Sequence, residues 1–127
     1  MECKVDSLDH LVLTVRDIDA AVSFYVGVLG MNEIQFDDRV AVGFGNQKIN
    51  LHLAGHEISP HAIAPTLGSV DLCFLSQTPV GDWMKRLLDF GVPVELGPVL
   101  RTGAASKLES IYLRDPDGNL IEISNSV

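Results

Sequence analysis

The chain has 127 residues, 46% of them hydrophobic, and a formal net charge of −8. That length suits one domain, or two half-domains sharing a core. An acidic chain with no Lys/Arg cluster is poorly matched to nucleic acid or an anionic membrane surface, and no apolar run reaches the 18 residues of a membrane span. The opening MECKVDSLDH lacks a signal-peptide pattern, and Cys3 and Cys73 form neither a CxxC pair nor a disulfide framework. A cytoplasmic protein with free thiols is expected.

Residues 8–15, LDHLVLTV, alternate and are rich in Val, Leu and Thr, which predicts a strand. Asp17-Ile18-Asp19 is a helix-start signal. Ala20, Ala21, Phe24, Tyr25 and Val28 then recur at helical spacing until Gly30 stops the helix. Three strands are predicted next, over 32–36, 39–44 and 48–53, the last two joined at Gly45-Asn46. Residues 55–67, rich in Pro, His and Ala, read as a linker.

The order then recurs. Residues 70–75, VDLCFL, predict a strand, and Thr78-Pro79 opens a helix carrying Trp83, Leu87, Leu88 and Phe90 until Gly91. Strands are predicted over 94–98, 109–113 and 120–124, with the turn DPDGN before the last. His10 and Asp71 differ by 71 − 10 = 61, and so do Gly30 and Gly91, 91 − 30 = 61. The expected architecture is therefore α+β, with two βαβββ modules over 6–54 and 68–127 forming one domain. His52 and Glu122 differ by 122 − 52 = 70, and the extra residues are assigned to a loop over 100–108.

Each module offers one ligand-type residue on its first strand, His10 or Asp71, and one on its last, His52 or Glu122. An approximate two-fold would bring these together as two imidazoles and two carboxylates. That donor set suits Zn, Ni, Co, Mn or Fe and disfavours soft Cu(I). Any one of the four alone reads as an ordinary strand residue on a wet face. The repeat joins them, because carboxylates on facing strands repel without a cation. His56 and His61 fall in the linker as solvated or lid residues. Phe24, Tyr25, Trp83, Met31 and Met84 read as core.

The segments LDHLVLTVRDIDAAVSFYVGVLGM (8–31), KINLH (48–52), VDLCF (70–74) and DPDGNLIEIS (115–124) resemble the vicinal-oxygen-chelate superfamily over nearly the whole chain. It includes glyoxalase I, fosfomycin-resistance thiol transferases, bleomycin-binding proteins and extradiol dioxygenases. GNQKINLH, GPVLRTGA and SIYLRDPDGNLIEIS are most similar to small glyoxalase domain-containing proteins.

The resemblance implies metal ligation by His10, His52, Asp71 and Glu122. The family's fourth-strand Glu and fifth-strand His are exchanged here for His and Asp. It further implies a metal-dependent lyase acting on the glutathione–methylglyoxal hemithioacetal, with Glu122 as general base. Arg101 and Lys107 are candidates to hold glutathione carboxylates. A thiol transferase, a ring-cleaving dioxygenase using His10, His52 and Glu122, and a metal-free drug-binding groove are the alternatives. A homodimer is expected, since each open sheet leaves unpaired edges.

Overall fold

The computed structural model describes all 127 residues, and the chain divides into unit 1, Met1–Pro65, and unit 2, Thr66–Val127. The division falls inside the stretch read as a linker.

In unit 1, β1 (His10–Val15) leads through Asp17 into α1 (Ile18–Val22), which runs on as a π-helical segment, Ser23–Val28. The Asp17 carboxylate accepts the Ala20 N–H at 3.0 Å, satisfying one orphan amide of the first turn. Gly30, at φ 79°, reverses the chain where a side chain would be strained. β2 (Asn32–Phe36), β3 (Arg39–Phe44) and β4 (Gln47–Leu53) follow, and the sheet order is β1-β4-β3-β2 with β1 parallel to β4.

Strand alternation gives this sheet two faces. Leu13, Val15, Val42, Ile49 and Leu51 point one way and are buried together with the helix side chains Ala21, Phe24, Tyr25 and Val28. Phe24 and Tyr25 meet edge to face at 5.1 Å. His10, Thr14, Arg39, Lys48, Asn50 and His52 point the other way.

Unit 2 repeats the arrangement. β5 (Asp71–Leu75), α2 (Val80–Asp89), β6 (Leu96–Thr102), β7 (Lys107–Arg114) and β8 (Leu120–Ser126) form a sheet of order β5-β8-β7-β6, with β5 parallel to β8. Ile111, Leu113, Ile121 and Ile123 are buried, as are Val80 and Leu87 of α2. α2 begins at Pro79 without a cap of its own. Asn125 of β8 supplies one, its Oδ1 accepting the Val80 N–H at 2.8 Å.

The DPDGN turn is a lock. Asp115 Oδ1 accepts the N–H groups of Asp117 and Asn119, both at 2.9 Å, and its Oδ2 accepts from Asn119 Nδ2 at 2.8 Å. Asn119 Oδ1 then takes the Val70 N–H at 2.9 Å, pinning the start of β5 to the start of β8.

The predicted loop over 100–108 is largely strand. Arg101 pairs with Leu108 and Thr102 with Lys107, leaving only Gly103–Ser106 as the turn. The extra residues lengthen a hairpin, because paired backbone groups satisfy one another where a loop would leave them to solvent. Gly103 is required there: a Cβ would lie 2.7 Å from the Ser106 carbonyl oxygen.

Candidate functional site

The strand ladders place the expected ligands. In unit 2, Asp71 is opposite Leu120 and Glu122 is opposite Cys73, so the two carboxylates share a face and are offset by two residues, about 7 Å along the strand. In unit 1, His10 is opposite Lys48, Asn50 is opposite Val12 and His52 is opposite Thr14. The residue two steps beyond His10 is thus Asn50. His52 lies four steps on, about 13 Å along the strand. The expected equivalence of His52 and Glu122 is therefore corrected. Asn50 holds Glu122's place in the ladder, offset 122 − 50 = 72, and His52 holds Ser124's place. Asn50 and His52 both point to the same side, so alternation alone does not separate them.

His10 is exposed, and its Nδ1 lies 3.0 Å from Asp9 Oδ1. A carboxylate on one ring nitrogen fixes the tautomer and leaves Nε2 as a lone-pair donor, the usual state of a metal-binding imidazole. His52 differs. It is 4% exposed, and its Nε2 accepts from Arg39 Nη2 at 3.2 Å. Burial, then the Arg39 charge, lowers its pKa and keeps the ring neutral. Asn50 is 5% exposed, with Oδ1 fully buried and unpartnered.

Glu122 is half-buried on β8. Its Oε2 accepts from Ser124 Oγ at 3.3 Å. Ser124 Oγ also lies 2.7 Å from Ser110 Oγ and 3.3 Å from Cys73 Sγ. A hydroxyl has one proton and two lone pairs. With its own proton donated to Glu122, Ser124 accepts from Ser110 and from the Cys73 thiol, and all its capacity is used. Burial raises the Cys73 pKa, the Ser124 contact opposes it, and Glu122 and Asp71 add to the rise, so the net direction favours the protonated thiol as donor.

Glu122 and Cys73 line a cavity of about 480 Å³ within unit 2, walled by the β6–β7 hairpin. Arg101 and Tyr112 line it too, and Arg101 Nε donates to the Tyr112 hydroxyl at 2.9 Å. Lys107, by contrast, pairs with Thr102 and points to the opposite face from Leu108, Ser110 and Tyr112. The structure thus joins Arg101 to Glu122 and leaves Lys107 apart.

Within neither unit do three His, Cys, Asp or Glu side chains converge in ligating range. Each unit supplies part of the expected donor set. The donors are nitrogen and oxygen atoms, at His10 and Asn50 in unit 1 and at Asp71 and Glu122 in unit 2, and they are of the type that borderline divalent cations take.

Residues 7–123 match the Glyoxalase/Bleomycin resistance protein/Dioxygenase superfamily. The chain belongs to that superfamily. It is 52% identical over 124 residues to the virulence protein STM3117 of Salmonella typhimurium, covering 97% of this chain and 86% of that protein. The crystal structure of STM3117 superposes with a TM-score of 0.96 at 51% identity, covering 98% of this chain and all of the other. A glyoxalase domain-containing protein of Mycosarcoma maydis, RDO1, is 50% identical over 125 residues, 98% of this chain and 70% of that one. A lactoylglutathione lyase from Agrobacterium tumefaciens shares the fold, with a TM-score of 0.71 at 24% identity over 95% of this chain and 94% of that one.

The superfamily's two-module α+β architecture is the one expected from the repeat. No helix is long and apolar enough to cross a membrane.

Proposed function

We propose that this superfamily member is a glyoxalase I-like lyase that isomerises the hemithioacetal of glutathione and methylglyoxal to S-lactoylglutathione. The observation that carries this reading is Glu122. One of its oxygens is held by the Ser124–Ser110–Cys73 chain, and the side chain opens on a cavity that also contains Arg101.

The reaction moves one proton from C1 of the hemithioacetal to C2 and the hydroxyl proton from the C1 oxygen to the C2 oxygen, and it needs no outside oxidant. Glu122 takes the C1 proton at its free oxygen and returns it to the neighbouring carbon. Ser124 holds the other oxygen, so the carboxylate keeps its aim through both transfers. A positioned base of this kind contributes roughly 10²–10⁴-fold. Arg101, steadied by Tyr112, offers a guanidinium to a glutathione carboxylate.

The candidate donors for a divalent cation, Ni, Zn, Co, Mn or Fe, are His10 in unit 1 and Asp71 and Glu122 in unit 2, with the β4 donor at Asn50 in place of His52. The cation would supply stabilisation of the negative charge that builds on the two vicinal oxygens. The buried, unpartnered Asn50 Oδ1 supports that exchange, as does the engagement of His52 Nε2 by Arg39. The cytoplasm and a homodimer complete the proposal.

The test is S-lactoylglutathione formation by protein stripped and reloaded with each metal, alongside elemental analysis. Stoichiometric metal and turnover, with turnover lost in Glu122→Gln, is the expected result. Metal without turnover overturns the lyase, and no metal under any loading overturns the ligand set. Asn50→Ala and His52→Ala separate the two β4 donors, since only Asn50→Ala is expected to weaken metal retention.

A further inference from the structure

Of the two proton movements in the isomerisation, Glu122 accounts for one. It carries hydrogen between the carbons at its free oxygen while Ser124 holds the other oxygen. The second movement, from the C1 oxygen to the C2 oxygen, has no carrier in Glu122 or its hydrogen-bond chain. Cys73 and Ser110 are engaged with Ser124, and the Ser106 hydroxyl donates to the Lys107 carbonyl oxygen.

Tyr112 has a proton to give. It stands directly opposite Glu122 on the neighbouring strand, so the two Cβ atoms lie about 5 Å apart on one face of the sheet. Both side chains line the same cavity. The Tyr112 oxygen accepts from Arg101 Nε at 2.9 Å, and its own O–H is donated to no protein group. A hydroxyl has one proton and two lone pairs, so Tyr112 can still donate once and accept once. The guanidinium carbon of Arg101 lies 5.5 Å from the Tyr112 ring centroid. Negative charge left on the phenol oxygen therefore meets an N–H donor and a cation already in place. Arg101 Nη1 donates to the Leu100 carbonyl oxygen at 3.1 Å, which leaves Nη2 to the glutathione tail. The Ser126 hydroxyl, on the same face, stands four residues along β8 from Glu122, about 13 Å away.

We propose that Tyr112 is a second catalytic residue, carrying the hydroxyl proton from the C1 oxygen to the C2 oxygen while Glu122 carries the proton between the carbons. The Tyr112 O–H bond breaks as a new O–H bond forms at the C2 oxygen, where negative charge builds once the C1 proton leaves. The C1 hydroxyl then returns its proton to the Tyr112 oxygen, the C1 carbonyl forms, and Glu122 delivers its proton to C2. Tyr112 and Glu122 end as they began, and no oxidant or reductant is consumed. Tyr112, Arg101 and Glu122 all belong to unit 2, so the relay needs no residue of unit 1. The inference rests on the lyase reading for the identity of the reacting atoms.

The relay is tested by binding as well as by turnover. Two glutathione derivatives are titrated into the metal-loaded full-length protein. One is a glutathione-linked hydroxamate, whose adjacent oxygens copy the planar enediolate. The other is S-methylglutathione, which keeps the tail and lacks both oxygens. Tyr112→Phe is expected to bind the hydroxamate about tenfold more weakly, and S-methylglutathione within about twofold of the wild type. Its kcat should fall about 100-fold with KM little changed. In the wild type, the Tyr112 Cζ resonance should move with the hydroxamate and stay in place with S-methylglutathione. The only other tyrosine, the fully buried Tyr25, is the internal reference.

Equal weakening of both ligands reduces Tyr112 to a support for Arg101 and overturns the proposal. Unchanged hydroxamate binding or unchanged kcat in a folded Tyr112→Phe overturns it too. A wild-type Cζ resonance that ignores the hydroxamate does so whether or not the variant folds. Each of these results leaves the lyase reading standing wherever the wild type turns over. A wild type that binds neither ligand and makes no S-lactoylglutathione overturns the lyase, and the Tyr112 relay with it.

Discussion

On the open sheet face of unit 1 the polar residues are His10, Thr14, Arg39, Lys48, Asn50 and His52. The same face of unit 2 carries Asp71, Cys73, Ser110, Tyr112, Glu122 and Ser124. Strand order and register are shared, yet the face of unit 1 carries no carboxylate within its strands, while that of unit 2 sets Asp71 and Glu122 beside Arg101 and Arg114. Arginine shows the contrast most sharply. Arg114 of unit 2 donates through Nε and Nη2 to both oxygens of Glu95, each at 3.0 Å, whereas Arg39 of unit 1 reaches an imidazole and an aromatic ring. A duplicated frame thus fixes where side chains stand and leaves their chemistry free to divide, with paired carboxylates in one half and imidazoles and an amide at the matching positions of the other.

The division is broken most severely at Glu122. Glu122→Gln keeps an acceptor for Ser124 and removes the base, so kcat should fall roughly 10²–10⁴-fold while the melting temperature holds, read by parallel turnover and thermal denaturation.

Next in size is the turn that only unit 2 possesses. Asp115→Ala removes the acceptor for the part-buried Asp117 N–H, the buried Asn119 N–H and the Asn119 side-chain amide, for a loss of about 3 kcal/mol in urea denaturation. The matching unit 1 turn, Gly45-Asn46, has no such side-chain lock, so Asn46→Ala should cost well under half as much. Equal costs would erase the asymmetry.

Ser124→Ala frees Glu122 Oε2 and should lower kcat about tenfold with metal content and KM little changed; rescue by Thr separates positioning from packing.

The smallest effect belongs to His52. Its folded pKa is lowered from 6.5, so below that pH the unfolded chain binds more protons than the folded one. The stability gained from keeping the ring neutral is therefore complete above 6.5 and is lost as pH falls toward and through the folded value. Urea midpoints at pH 7.5 and 5.5 should show that loss, and His52→Gln should diminish it.

Much of this frame is legible in the sequence. Two stop glycines and two first-strand ligands at one spacing give the repeat, and Asp17 and Gly30 bound the first helix, because capping and left-handed turns depend on local residue type. Register is less legible. Asn50 and His52 are two apart on one strand, and only the pairing with β1 tells which stands at Glu122's place. Arg39 was passed over as the first residue of RVAVGF, although a lone cation opening a buried strand was the available signal. The Ser110–Ser124–Cys73 chain left none, since each residue is ordinary alone and the contacts cross three strands. The hairpin over 100–108 was misread because RTGAASKL has loop composition, while its ends pair in the ladder.

The Gly103–Ser106 turn caps a hairpin that walls the unit 2 cavity, and its growth or shortening leaves β8 and Glu122 in register. Lineages descended from this frame can therefore reshape that cavity by trading residues at one tip, two at a time, while inheriting the Glu122 position intact. For an engineer the same tip is a dial for the shape of the cavity, set apart from the Glu122 carboxylate.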